Sequence, residues 1–343
     1  MTHPPQLSRE RLVQLIARIK SSRVAVIGDI MIDRYLIGDT DRLSPEAPVP
    51  VVTVRERQAR LGGAANVAAN VASMGASCLL VGTVGDDGDG ATIRQELVVA
   101  RLDGRYVVTV AGRPTTSKTR IIARSQQIVR IDDEVDALLD GPDLARLIKA
   151  AREALADADA LLLEDYNKGA LAPGLIAAVM EVARRRGIPI VVDPKYRHFF
   201  DYAGATVFKP NRRELESALG AAVDLQNRNA IPEVLDRLKV DNLLVTLGAD
   251  GMLLVTKDGN SLRIPSIARE VYDVSGAGDT VTAWLGTALA AGASLMEAAQ
   301  LANYAAGVEV SKPGVATVTP EEVLAVHEER FDQIGRLRRG GAI

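Results

Sequence analysis

Three small residues, Gly276-Ala277-Gly278, stand directly before an acid, Asp279, in the stretch VYDVSGAGDTVTAWL. After them Val281, Trp284, Leu285, Ala288 and Leu289 fall on one helical face, and Gly292 is placed to end the run. The bare turn is therefore expected at a helix N-terminus. Small residues let backbone N–H groups approach an anion closely, and the helix dipole adds roughly half a positive charge there. An anion hole beside a carboxylate suits phosphoryl transfer to an alcohol. The N–H groups hold the developing phosphate charge, and Asp279 takes the hydroxyl proton. A plain first-turn cap is the rival reading of Asp279 from these residues alone. The turn is not a Walker loop, because no Lys-Ser/Thr pair follows the glycines, and it is not a G-x-G-x-x-G after a first strand.

The elements that must hold this turn can be read from the apolar pattern. Runs at Arg23–Asp29, Ser77–Gly85, Asp159–Asp165, Ile188–Pro194, Thr206–Asn211 and Asn242–Gly248 look like buried strands, and helical patterns such as GAANVAANVASMG and PGLIAAVMEVARRRG lie between them. This alternation predicts a doubly wound, mostly parallel α/β sheet flanked by helices, with ligands beyond the carboxyl ends of the strands. Residues 35–61 and 104–131 break the rhythm, being β-prone with alternating polar residues. They are expected to form a small β-sheet lid over the site, with edge hairpins of the main sheet as the alternative. At 343 residues the chain could be one large domain or two ordinary ones; it is expected to be a single domain, 1–343, ending in a frayed basic tail, GRLRRGGAI.

Composition narrows the partners. Lys plus Arg total 41 against 44 acids, a net charge of −3, so no global basic field points to nucleic acid or an anionic membrane. The single cysteine, Cys78, excludes an internal disulfide framework and reads as inert core in a reducing compartment. His3, His198 and His327 are far apart and form no zinc spacing with it. The N-terminus has no continuous apolar signal core and no later segment has about 18 uncharged apolar residues, so a cytoplasmic location is expected.

The segment YDVSGAGDTVTAWL resembles the C-terminal signature of the ribokinase, or phosphofructokinase B, family of sugar kinases, and RLGGAANVAANVASMGA resembles its N-terminal glycine signature. The likeness runs from about Val24 to Pro320. Within the family, GDIMIDRYLIGDTDRLSPEAPVPVV, RSQQIVRID, EDYNKGAL and EVYDVSGAGDT are similar to the members that phosphorylate D-glycero-D-manno-heptose 7-phosphate at O1 for lipopolysaccharide-precursor synthesis. The resemblance implies ATP and Mg²⁺ as cofactors, Asp279 as catalytic base, and Gly276, Ala277 and Gly278 as its anion hole.

The same resemblance matches Asn211 and Glu214 in KPNRRELE to a motif linked to ATP phosphates and Mg²⁺, although Glu214 reads equally as a solvated first-turn acid. Thr246, Gly248 and Gly251 in TLGADG match a loop along the nucleotide, with a plain hairpin turn as rival, and Asn303 matches the adenine end. Asp273 and Ser275 match positions lining a K⁺ site in many relatives, with a turn-capping Asp as the equal rival. On the sugar side, Asp33, Gly62, Gly63 and Asn66 offer donors, acceptors and open backbone for hydroxyls, and Asp165 and Lys168 lie beyond another strand end. Lys118, Arg120 and Arg124 share a strand face and are candidates for the substrate's 7-phosphate, or simply edge charges that discourage aggregation.

In the bifunctional form of this kinase a nucleotidyltransferase domain follows. The chain ends about 20 residues beyond VTPEEVLAV, so adenylylation is expected from a separate protein. The GDIMID opening also departs from ribokinase-like starts, which weakens ribose as substrate. A homodimer through the lid is expected. The competing functions are another sugar or nucleoside kinase of the family and a non-catalytic nucleotide-binding regulator.

Overall fold

The computed structural model describes residues 7–124, 126–224, 231–268 and 270–340. Its strands are β1 (Arg23–Gly28), β2 (Ile30–Leu43), β3 (Pro50–Gly63), β4 (Ser77–Gly85), β5 (Val107–Val110), β6 (Ser117–Ala123), β7 (Gln126–Asp133), β8 (Ala160–Glu164), β9 (Ile190–Asp193), β10 (Val207–Phe208), β11 (Leu243–Thr246), β12 (Met252–Val255) and β13 (Ser261–Ile264). Nine of them form one sheet in the order β13-β12-β11-β10-β9-β8-β1-β4-β5. All of its pairings are parallel except β11–β12 and β12–β13. The central strands read as unbroken apolar runs because helices cover both faces. Val24 and Val26 of β1 point into one core while Ala25 and Ile27 point into the other.

The first core holds the helices Ala64–Ser73, Ala277–Ala290 and Leu295–Glu309, with Trp284 fully buried at its centre. The second holds Gly141–Ala156 and Pro173–Arg186, the latter stopped by left-handed Gly187 as its pattern requires. Cys78 is buried in β4, where burial pushes its thiol up and leaves it inert. Among the described residues no helix is long and apolar enough to cross a membrane.

A second sheet, β3-β2-β6-β7, stands apart from the first as the expected lid. β2 and β3 form a long antiparallel hairpin from Ile30↔Gly63 to Leu43↔Pro50, so the lid begins earlier than residue 35. β6 lies parallel to β2, and β7 antiparallel to β6. The expected second piece, 104–131, divides. β5 joins the edge of the main sheet beside β4, because Val107 and Val110 pack on the core, and only Ser117 onward enters the lid. Alternation marks a strand but not which sheet it joins. Ser125 within this piece, His3 at the start and the last three residues of GRLRRGGAI lie outside the described residues; the earlier part of that tail continues the helix Pro320–Gly340 rather than fraying.

Candidate active site

The carboxyl ends of β1, β8 and β9 meet the N-terminus of the helix Ala277–Ala290. Gly276 caps that helix with φ +94°, a conformation that side chains resist, and the first N–H groups after it have no intrahelical acceptor. Asp279 is buried in the first turn. Its Oδ2 accepts from Asn66 Nδ2 at 2.7 Å, and its Oδ1 accepts from the Tyr166 hydroxyl at 2.7 Å. Burial pushes the Asp279 carboxyl up to about 6 despite these two hydrogen bonds, which favour its charged form. A buried carboxylate poised near neutrality and held by two donors is the chemistry of a general base.

Two of its supports were not legible. Tyr166 reaches Asp279 because the loop after β8 is folded around Asp29, whose carboxylate accepts from the backbone N–H groups of Tyr166, Lys168 and Ala170 at 2.8, 2.9 and 3.0 Å. Asn66, expected on the sugar side, also donates its side-chain amide to the base. Nothing in the spacing of EDYNKG, where Asp165 and Lys168 attract attention, marks the tyrosine.

Behind Asp279 lie Glu164 at the end of β8 and Asp193 at the end of β9. One carboxylate oxygen from each of the three lies within 4.8 Å of the others. Burial raises Glu164 well above the usual carboxylate range, and the neighbouring Asp193 and Asp279 carboxylates add to it, so no donor among the described residues other than a proton shared with Asp193 meets its oxygens. Hard oxygen donors of this kind fit a divalent cation such as Mg²⁺. Lys209, just after β10, enters the same network with Nζ 2.8 Å from Asp193 Oδ2. Burial disfavours its charge, yet Asp193 and Glu164 hold its pKa above the ordinary lysine value.

A cavity of about 360 Å³ opens on the other side of the turn, lined by Asn211, Thr246, Gly248, Gly251, Gly278 and Asn303 among others. It gathers the residues expected along the nucleotide. Asn303 is buried, and its Nδ2 donates to the Pro265 carbonyl at 3.0 Å. Asn211 and Glu214 form a reciprocal capping box, and Glu214 also pairs with Lys195, so both oxygens of this carboxylate are in use within the protein. The Gly248–Gly251 loop turns β11 into β12, so the hairpin reading and the cavity-lining reading both describe it. Asp273 accepts from Ser275 N at 2.9 Å, which is the turn-capping geometry. Next to that turn the buried Glu309 lies with Oε1 3.1 Å from where a Gly276 Cβ would stand. Burial, then Asp273 and Asp279, push it up to about 8.

On the lid side, Asp33 is buried and paired with Arg120, whose guanidinium also lies 5.3 Å from the centre of the Tyr35 ring. Gly62 stands beside it because a Cβ there would meet Asp33 Oδ2 at 2.5 Å, and Gly63 caps the helix Ala64–Ser73. The other expected sugar-side groups are already engaged. Lys118 and Lys168 both pair with Glu134, Arg124 pairs with Asp41 at the surface, and Asp165 is buried, accepting from Asn167 N and the Tyr202 hydroxyl.

The model of the pfkB family carbohydrate kinases matches residues 21–322. Among curated relatives, the bifunctional protein HldE of Rhodospirillum rubrum is 44% identical over 321 residues, which are 93% of this chain and 65% of that protein. The protein of the same name from Azorhizobium caulinodans is 45% identical over 322 residues, 93% of this chain and 67% of its own length. The chain thus spans about two-thirds of the curated relatives it matches. Among solved structures, ribokinase of Arabidopsis thaliana complexed with ribose and ATP superposes with a TM-score of 0.71 at 22% identity, covering 90% of this chain and 99% of that one. Phosphofructokinase-2 of Escherichia coli in complex with potassium gives 0.72 at 19% identity, covering 90% and 98%. The two-sheet fold is theirs, and with the family model spanning nearly its whole length the chain belongs to the pfkB family of carbohydrate kinases.

Proposed function

We propose that the chain transfers the γ-phosphoryl group of ATP to the anomeric O1 of D-glycero-D-manno-heptose 7-phosphate, giving the 1,7-bisphosphate used for lipopolysaccharide precursors. The observation that carries the kinase reading is Asp279, held by Asn66 and Tyr166 at a helix N-terminus that opens on the cavity. Asp279 takes the proton from O1, and the backbone of the Gly276-Ala277-Gly278 turn receives the transferring phosphoryl oxygens. Asn211, Thr246, Gly248, Gly251 and Asn303 line the nucleotide side. Mg²⁺ bound with ATP supplies neutralisation of phosphate charge. Glu164 and Asp193 would hold it, with Glu214 acting at most through water, and Asp273 and Ser275 would face a K⁺.

The heptose 7-phosphate assignment rests on GDIMIDRYLIGDTDRLSPEAPVPVV and EDYNKGAL, which supply Asp33 and the Tyr166 loop, and on the HldE relatives. Asp33, the Gly62-Gly63 backbone and Asn66 border the sugar. Lys118 is the register neighbour of Asp33 on β6, but of the three lid cations it is Arg120 that pairs with the Asp33 carboxylate, and it is the one we assign to the substrate phosphate. We further assign a cytoplasmic location and a homodimer through the lid, where Ile128, Val129 and Ile131 of β7 are exposed. The test is a panel of sugar phosphates with ATP and Mg²⁺, with NMR of the product to locate the new phosphate. A bisphosphate from heptose 7-phosphate is expected. Turnover of a different sugar alone would sink the substrate assignment and leave the kinase reading standing.

A further inference from the structure

The buried network also holds a lysine. Lys209 stands two residues before the cavity-lining Asn211, and it is 2% exposed. A Cβ on Gly278 would lie 3.7 Å from Lys209 Nζ and 3.8 Å from Asp193 Oδ2. Gly278 is the second residue of the helix whose N–H groups form the anion hole. The ammonium is thus aimed at the mouth of that hole, on the side that the missing side chain leaves open. Asp193 faces one side of the ammonium, and an ammonium has three donors.

We infer that Lys209 is a further catalytic residue, which grips the transferring γ-phosphoryl group from the side opposite the helix N–H groups. The inference rests on the kinase reading above and deepens it. As the sugar O1 bonds to the γ-phosphorus, the bond from that phosphorus to the β–γ bridging oxygen breaks. The electron pair leaves with ADP, and the O1 proton passes to Asp279. Charge develops on the γ oxygens during this step. A buried ammonium fixed by Asp193 meets that charge without reorganising, which is where electrostatic stabilisation acts most strongly.

The experiment compares Lys209→Met, Lys209→Arg and the double variant Lys209→Met/Asp193→Asn in the full chain. The double variant removes both charges of the pair, so it stays folded where the single change leaves Asp193 unpaired. Three quantities are read: melting temperature, affinity for ATP and for ADP, and the single-turnover rate of transfer to heptose 7-phosphate. Because Asp193 is itself assigned to Mg²⁺, the folded double variant is compared with Asp193→Asn alone, and relative to that variant we expect transfer to fall about 10²- to 10³-fold, as on losing an oxyanion donor. The preference for ATP over ADP should also fall, roughly tenfold, and Lys209→Arg should restore part of both.

A folded double variant that transfers within about threefold of Asp193→Asn, or keeps that variant's ATP-to-ADP preference, would overturn the inference and leave Lys209 a counter-ion. If wild-type protein binds ATP yet phosphorylates no sugar phosphate, the kinase reading fails while the ATP-to-ADP preference still decides Lys209. Wild-type protein that binds neither nucleotide overturns both.

Discussion

At the carboxyl edge of the main sheet, Asp279, Asp193, Glu164 and Lys209 share one buried network, whereas on the lid Lys118, Arg124 and Arg130 pair with acids near or at the surface. The two regions carry similar residue types to opposite effect. Exposed ion pairs contribute about 0–1 kcal/mol and can be exchanged for a ligand contact at little cost. Buried charges are desolvated, so each must keep a partner or shift its pKa, and their geometry is fixed before substrate arrives. Chemistry therefore belongs to the sheet edge, and adaptable binding to the lid.

The sharpest way to break that comparison is Asp279→Asn. Transfer should fall about 10²- to 10⁴-fold, the usual contribution of a general base. Stability should hold or rise at neutral pH. The folded pKa of Asp279, about 6, is raised above its ordinary value of 3.8, so the stability of its neutral form is lost as pH rises through 6, and asparagine avoids that loss. For the same reason wild-type transfer should decline as pH falls below about 6. Parallel melting curves and pH–rate profiles check both, and a variant that melts far lower while still transferring would reverse the roles assigned here.

Next in size, Gly278→Val should lower transfer roughly 10²-fold with little change in melting temperature, since its Cβ meets only ordinary contacts but stands in the path of phosphate. Gly276→Ala should differ by lowering both. Its φ of +94° and the atoms of Glu309 and Asn66 at 3.1 and 3.3 Å leave no room for a side chain. Equal losses of transfer and stability in Gly278→Val would show that the bare turn serves packing at both glycines.

The contrast also explains what could be read in advance. Strands such as β4 and β8 were legible because a strand buried on both faces is an apolar run bounded by polar residues. The bare turn at the N-terminus of the helix Ala277–Ala290 was legible because its small residues run directly into a helical pattern. Asp29, Tyr166 and Lys209 were not, because each acts through a contact across the sheet, Lys209 to Asp193 and Tyr166 to Asp279, that no local pattern encodes. On the lid the cations could be read in advance but not their partners. Lys118 and Arg124 have the spacing of phosphate ligands, but Glu134 and Asp41, distant in sequence, occupy them.

That difference can be sharpened among the cations themselves. Arg120→Ala should raise KM for the sugar phosphate roughly tenfold or more, as on losing a hydrogen bond to a charged group, and it also leaves buried Asp33 unpaired. Arg124→Ala, which breaks an exposed pair, should change KM less than about twofold. Initial-rate kinetics with ATP saturating decide it. If Arg124 proved the larger loss, the phosphate would be gripped at the lid surface and Arg120 would serve only to neutralise Asp33.

The smallest effect tests whether burial governs charge beyond the reacting atoms. Glu309 is buried near the helix N-terminal turn, with only the backbone N–H of Ala316 to favour its charged form besides Lys312 among the described residues. Burial first, then the nearby Asp273 and Asp279, push it up to about 8 from an ordinary 4.5. Between those two values the unfolded chain has released a proton that the fold retains, so stability falls as pH rises from about 4.5 to 8. Glu309→Gln, which cannot ionise, should melt close to wild type at pH 5 and progressively above it toward pH 8, with transfer changed only a few-fold. Melting curves that stay parallel across that range would mean that a cation or an unmodified contact compensates the carboxylate, and that the back of the turn holds its charge as the lid does, by pairing.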